Sequence, residues 1–231
     1  MVSRESAGWP IRVVAEMSSR LVVTGSGIQL DALLMAAVAR RDDLPPLTTA
    51  RQAIEAPPID IPIALSDCGR YYLCSSSMFA VSEREARRTL RRFPLAEAID
   101  FGGSSIRTIK TGSGPCKGFM IPSEAVHVRE LTWIAVGDPE AIESLLSLVT
   151  RLGRRRAVGE GLVRRWRVER VSDEERWPGW PVLSPDGAPL RTLPLDVPGL
   201  SPDAPRRFGR TRPPYWLLAG EEEIAAPSAV T

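Results

Sequence analysis

The sequence predicts an α+β fold: a ferredoxin-like (RRM-like) palm with an inserted basic element and a Pro-rich C-terminal extension. Three observations carry this expectation. Alternating and helical apolar patterns follow one another in the coarse order β-α-β-β-insert-β-α-β as far as residue 171, which is a split βαβ arrangement. A glycine-rich stretch holding Arg107, Lys110 and Lys117 interrupts that order, as a hairpin or a loop would. Beyond Ser172 the composition changes, with 11 of the 21 prolines and no convincing helix. The expected division is a palm over residues 1–171, with the insert at about 78–125, and an extension over residues 172–231.

Ile11 to Met17 alternates and reads as a first strand, continuing through Leu21 to Val23. Gly25 and Gly27 follow it, but the third glycine of a dinucleotide fingerprint is missing, so a simple turn is the better reading. Leu30, Leu33, Leu34, Ala37 and Val38 form the apolar stripe of a helix over about 30–40. Asp31 in its first turn and Arg40-Arg41 at its end suit the macrodipole. Four prolines between Asp43 and Pro58 bracket a short helix. Ile59 to Leu65 alternates around Pro62, which places it at an edge, and Arg70 to Ser75 is its expected partner strand.

Ser82 to Phe93 reads as a charged helix, because Ser82 and Glu85 have capping-box spacing. Its arginines give either a basic face or a merely solvated one. His127 to Val136 is the clearest strand, apolar enough to be central. Asp138 as N-cap and Pro139 at the first helical position start a helix that should run to about Leu152. Leu162 to Val171 is the last expected strand.

Between that helix and strand lies the stretch with the most chemistry. Gly153, Gly159 and Gly161 alternate with three consecutive arginines, Arg154, Arg155 and Arg156, and Arg164 and Arg165 follow. Glycines permit tight turns and close backbone approach. Arginine forks match phosphate oxygens. The pattern is a candidate cradle for a polyanion, and equally a C-cap glycine, a solvated turn and an edge strand. Net charge is only +2, yet eight arginines lie between Arg151 and Arg170. A local basic patch on a near-neutral chain points to one defined anionic partner.

The ordered motifs resemble a known family. L-G-R-R-R-x-x-G-x-G-x-V (Leu152 to Val163) followed by W-x-V is similar to the C-terminal glycine-rich loop of the RAMP superfamily, the RNA-binding subunits of CRISPR effector complexes. I-x-L-D-A-L-L (Ile28 to Leu34), I-P-I-A-L (Ile61 to Leu65), T-W-I-A-V-G-D-P (Thr132 to Pro139) and R-P-P-Y-W (Arg212 to Trp216) narrow the match. Together they resemble the type IV CRISPR counterpart of the Cas-five family, over roughly residues 11–171 and part of the tail. The resemblance implies a non-catalytic subunit that caps the 5′ handle of a guide RNA, with a projecting thumb in place of the insert. It implies contacts with the backbone-forming RAMP subunit and the large subunit, with target DNA near the complex end as a further candidate. The residues that would hold RNA are Gly153, Arg154, Arg155, Arg156, Gly159, Gly161, Arg164, Arg165, Arg107, Lys110 and Lys117. The extension would pack on the palm or on a neighbouring subunit.

Other function classes find little support. Some members of that superfamily cut guide precursors, which without metal takes a general base and a general acid. The one histidine, His127, opens an apolar strand, and only Glu160 stands as an acid beside the loop. A metal-independent endoribonuclease is therefore the alternative reading, and a free-standing RNA-binding domain is a third. Cys68, Cys74, Cys116 and His127 fit no standard zinc spacing, and no P-loop or nucleophile elbow is present. No metal, cofactor or membrane partner is expected. Three cysteines without a CxxC pair suit a reducing cytoplasm.

Overall fold

A computed structural model describes residues 8–22, 27–47, 49–91 and 118–227. It is a mixed α+β structure built on antiparallel sheets. The central strand, β1 (Trp9–Met17), buries Ile11, Val13 and Ala15 completely, as its alternation requires. β4 (Glu130–Gly137) pairs with one edge of β1, from Trp9↔Gly137 to Glu16↔Glu130. β5 (Val163–Arg170) pairs with the other, with a bulge at Glu16/Met17. On the outer side of β4 the chain makes only isolated bridges, Ile63↔Gly137, Cys74↔Ala135 and Met78↔Thr132. The expected strands at 59–65 and 70–75 are thus an irregular edge. Pro62 lacks an N–H, and its carbonyl instead accepts from the Asp138 N–H.

α1 (Leu30–Arg41) and α3 (Pro139–Leu146) pack on β1 and β4. Leu34, Ile142 and Leu146 share one core with Val13, Leu131 and Trp133. The short α2 (Ala50–Glu55) lies between the prolines, where Thr49 and Gln52 form a capping box. Asp138 caps α3 by accepting the Ala141 N–H at 3.0 Å. α3 ends at Leu146, short of the expected Leu152. The next carbonyls have tertiary partners: Arg40 donates to Leu148 O and the Trp166 indole donates to Val149 O at 2.8 Å. The chain therefore turns toward β5 instead of continuing the helix.

The largest correction is at the charged segment. Val81–Arg91 is a strand, β2, paired antiparallel with β3 (Phe119–Val128), and not a helix. Ser82 does not cap; its hydroxyl donates to His127 O at 2.9 Å. Glu85 and Arg87 are half-buried whereas Arg84, Ala86 and Arg88 are exposed, a period of two. Pairing with a distant strand supplies the backbone partners and overrides the local helix pattern. The single strand expected over 127–136 is divided at Arg129, whose carbonyl accepts the Met17 N–H, and the chain passes there from hairpin to main sheet. Arg107, Lys110 and Lys117 lie outside the described residues.

The C-terminal segment adds a small sheet of β6 (Leu193–Pro194), β7 (Arg206–Gly209) and β8 (Glu222–Ala225), in the order β6-β8-β7. Val182, Leu183, Leu193 and Ala225 form its own apolar cluster, against which Tyr71 and Leu73 pack. One ion pair locks this segment to α1. Arg191 and Asp31 are both fully buried and meet at 2.9 Å. Arg191 also donates to Tyr72 O, Thr211 O and the Tyr215 hydroxyl, and Tyr215 donates to Asp31 at 2.7 Å. Burial opposes the guanidinium charge, but Asp31, Cys74 and Tyr215 hold its pKa above the ordinary arginine value.

Burial, reinforced by Asp31, pushes the Cys74 thiol up from 9.0 to about 12. Its contribution to stability is complete below the unfolded thiol's pKa and is lost as pH rises through that interval. Asp31→Ala strands the buried Arg191 charge and is expected to cost about 3–5 kcal/mol. Arg12→Ala removes an exposed pair with Glu175 and should cost under about 1 kcal/mol. Urea unfolding of the two variants against the parent checks the difference. Equal small losses would contradict the role given to Arg191.

Candidate nucleic-acid interface

The loop after α3 is held by backbone bonds on both sides. Leu152 N–H donates to Gly161 O at 2.8 Å, Gly161 N–H to Arg20 O at 2.7 Å, and Arg154 N–H to Val22 O at 2.8 Å. A 3-10 turn, Arg156–Val158, forms its tip. Gly161 has φ +71, and a Cβ there would stand 1.9 Å from Leu152 O; at Gly153 it would meet Val22 O at 2.5 Å. These two glycines serve the close passage of the chain past itself. Gly159 differs: its φ is +95, but a Cβ would meet nothing within 4 Å. Arg155 holds φ 59, a left-handed conformation unusual for a side-chain-bearing residue.

The arginines fall into two groups. Arg164 is tied to Glu16 at 2.5 Å, and Arg167 bridges Glu16 and Glu130. The hydrogen bond from Arg164, outweighing desolvation, holds the Glu16 carboxyl below its ordinary range. Arg165 forms no ion pair among the described residues, though its charge also acts on Glu16. Arg154 and Arg156 are exposed and Arg155 is half-buried. None of these three has a carboxylate partner among the described residues. The structure thus separates Arg164, internally neutralised, from the loop-tip arginines, whose field is open to a ligand.

A chain of alternating charge connects the loop to the β2–β3 hairpin. Glu160, nearly buried, accepts from the Arg20 guanidinium at 3.1 and 3.2 Å. Arg20 also reaches Glu85 of β2 at 2.9 Å, and Glu85 meets Arg87 at 3.0 Å. The bridge Leu21↔Val126 fixes the hairpin base beside this chain. Ser19, Arg20, His127, Val158, Gly159 and Glu160 line a cavity of about 240 Å3 between loop and hairpin. Sequence reasoning noted Glu160 and His127 separately. Arg20, which holds Glu160 and lines the cavity with His127, carried no local pattern.

A second open cavity, of about 360 Å3, lies between α1 and the loop, and Arg40, Arg151 and Arg156 line it. Among the described residues no group of three or more His, Cys, Asp and Glu is placed to hold a metal ion. No helix among them is long and apolar enough to cross a membrane.

Residues 75–225 match the family described as CRISPR type IV associated protein Csf3. The chain belongs to this family. It is a component of a type IV CRISPR effector complex. The match spans the hairpin, the Gly/Arg loop and most of the C-terminal segment, so the loop, Arg191 and Tyr215 all lie within the family's own extent. No curated protein matches the chain.

The two glycine environments give distinct expectations. Gly161→Ala drives a methyl group into the Leu152 carbonyl and should destabilise the fold by roughly 3 kcal/mol or more. Gly159→Ala meets open space and should cost about 1–2 kcal/mol, for its left-handed backbone alone. Thermal or urea unfolding distinguishes them, and equal losses would refute the backbone contact at Gly161.

Proposed function

We propose that the chain is the guide-RNA-binding subunit of the type IV complex, a Cas-five-like member of the RAMP superfamily that caps the 5′ handle. The observation that carries this reading is the run Arg154-Arg155-Arg156, presented without carboxylate partners among the described residues at the tip of a backbone-braced loop. The sheet order supports it: β5-β1-β4 with the bridged 63–78 segment outside is the order of a ferredoxin-like palm. The β2–β3 hairpin would serve as its thumb, tied to the loop by the Glu160–Arg20–Glu85 chain. RNA phosphates would sit on the arginine forks, while unstacked bases and 2′-hydroxyls would reach the hairpin side. Target sequence would be read by the guide through base pairing, with target DNA near this end of the complex. The backbone-forming and large subunits would flank the chain, in the cytoplasm.

Replacing Arg154, Arg155 and Arg156 together with alanine should leave the fold intact, because none makes a side-chain bond to the described residues. The log-log salt slope of RNA binding should fall by about 0.7 per lost phosphate contact on single-stranded RNA. Affinity should drop roughly 10- to 1000-fold, if each contact contributes about 0.5–1.5 kcal/mol. A salt titration with a circular dichroism control checks this. An unchanged slope in the folded variant would move the RNA site elsewhere.

One observation favours a second reading. His127 lines the 240 Å3 cavity together with Ser19 and Glu160, residue types that general acid–base cleavage of RNA would use. Against it, the Glu160 carboxylate is occupied by Arg20, and among the described residues no other carboxylate lines that cavity. Purified protein is expected to leave a labelled repeat RNA intact in EDTA. Turnover that His127→Ala abolishes would establish the endoribonuclease instead.

A further inference from the structure

The cavity between α1 and the Gly/Arg loop has a two-part lining. Arg40, exposed at the end of α1, Arg151, half-buried before the loop, and Arg156 at its tip supply three guanidinium groups. Leu33, Ala37 and Val149 supply an apolar floor. Among the described residues no carboxylate lines this cavity. Among the described residues Arg40 makes one hydrogen bond, to Leu148 O at 3.2 Å. Arg151 Nη1 is buried with no hydrogen-bond partner among the described residues. A buried guanidinium nitrogen without a partner is costly, and an oxyanion in the cavity would supply one through a small turn of the half-buried Arg151 side chain. The volume, about 360 Å3, falls within the range of small-ligand sites, roughly 300–1,000 Å3.

An oxyanion alone explains the arginines but leaves the apolar floor unused. A planar, largely apolar ring attached to a phosphate uses both halves. We propose that this cavity is a nucleotide pocket: it takes one unstacked nucleotide, its phosphate on Arg40, Arg151 and Arg156 and its base against Leu33, Ala37 and Val149. The proposal rests on the RNA-binding reading above, because Arg156 belongs both to the loop tip and to the pocket rim. It adds a site on the α1 side of the loop, away from the hairpin. There a phosphate is recognised together with its base, which a surface arginine cluster does not do.

The test uses the RNA-free full-length protein and small probes. Isothermal titration calorimetry compares the four nucleoside 5′-monophosphates with inorganic phosphate and with the unphosphorylated nucleosides. The monophosphates are expected to bind at least about 10-fold more tightly than either half alone. Arg40→Ala removes one phosphate contact from outside the loop. Ala36→Leu fills the cavity from an exposed position on α1 without changing charge, and leucine preserves the helix. Each should weaken monophosphate binding about 10-fold or more, whereas Arg12→Ala, which removes only the exposed pair with Glu175, should not. Equal binding of phosphate and monophosphates, no binding of either, or an inert Ala36→Leu would each overturn the pocket. Those results leave the loop reading to its own salt titration, which fails only if the triple arginine variant keeps its slope.

Discussion

The fold depends on one buried charge. Arg191 sits in a Pro-rich stretch with no helix around it, yet its guanidinium is fully enclosed and bonded to Asp31, Tyr72 O, Thr211 O and Tyr215. A charge removed from water must have its partners met in full. Those partners come from α1, from the edge segment at residue 72 and from the C-terminal segment, so the pair constrains three parts of the chain at once. Arg212 adds to the clamp: it stacks over the Tyr72 ring at 5.1 Å and donates to Gly69 O. The Pro- and Trp-rich tail is therefore folded onto the first sheet by specific polar bonds as well as by the small cluster around Leu193.

The same logic, applied at the surface, places the candidate interface. Most arginines of β1, β2 and β5 answer a glutamate, either across the sheet, as Arg84 to Glu124 and Arg164 to Glu16, or on a neighbouring helical turn, as Arg12 to Glu175 and Arg170 to Glu140. Exposed pairs of this kind stabilise little, but they cancel charge locally. A chain with net charge of only +2 can thus present a concentrated positive field where the pairing stops, at Arg154 to Arg156. Arg20 acts differently, because its two carboxylates belong to the loop and to the hairpin. It couples the position of one to the other, so the cavity containing His127 is framed by both.

What the sequence made legible was local. β1 showed its alternation, α1 its 3.6-residue stripe, and Asp138-Pro139 the start of α3, because each signal is complete within a few residues. β2 was hidden, since its ladder partner lies beyond the glycine-rich stretch and its own residues carry a helix-like charge pattern. Asp31 looked like a helix-dipole residue, and only burial and the approach of Arg191, 160 residues away, reveal it as half of an ion pair. The Gly/Arg loop was legible as a unit, but not the division of labour inside it. Gly161 and Gly159 look alike in sequence, and so do Arg164 and Arg154. The distinction lies in Leu152 O for the first pair and Glu16 for the second.

The central claim is that RNA is held at the Gly/Arg loop, between the hairpin base and α1. Photocrosslinking of the assembled complex to its own guide RNA, read by peptide mass spectrometry, addresses it most directly. The account predicts adducts within residues 151–165 and at the hairpin base around His127. Adducts confined to the C-terminal sheet, with none in residues 151–165, would contradict it.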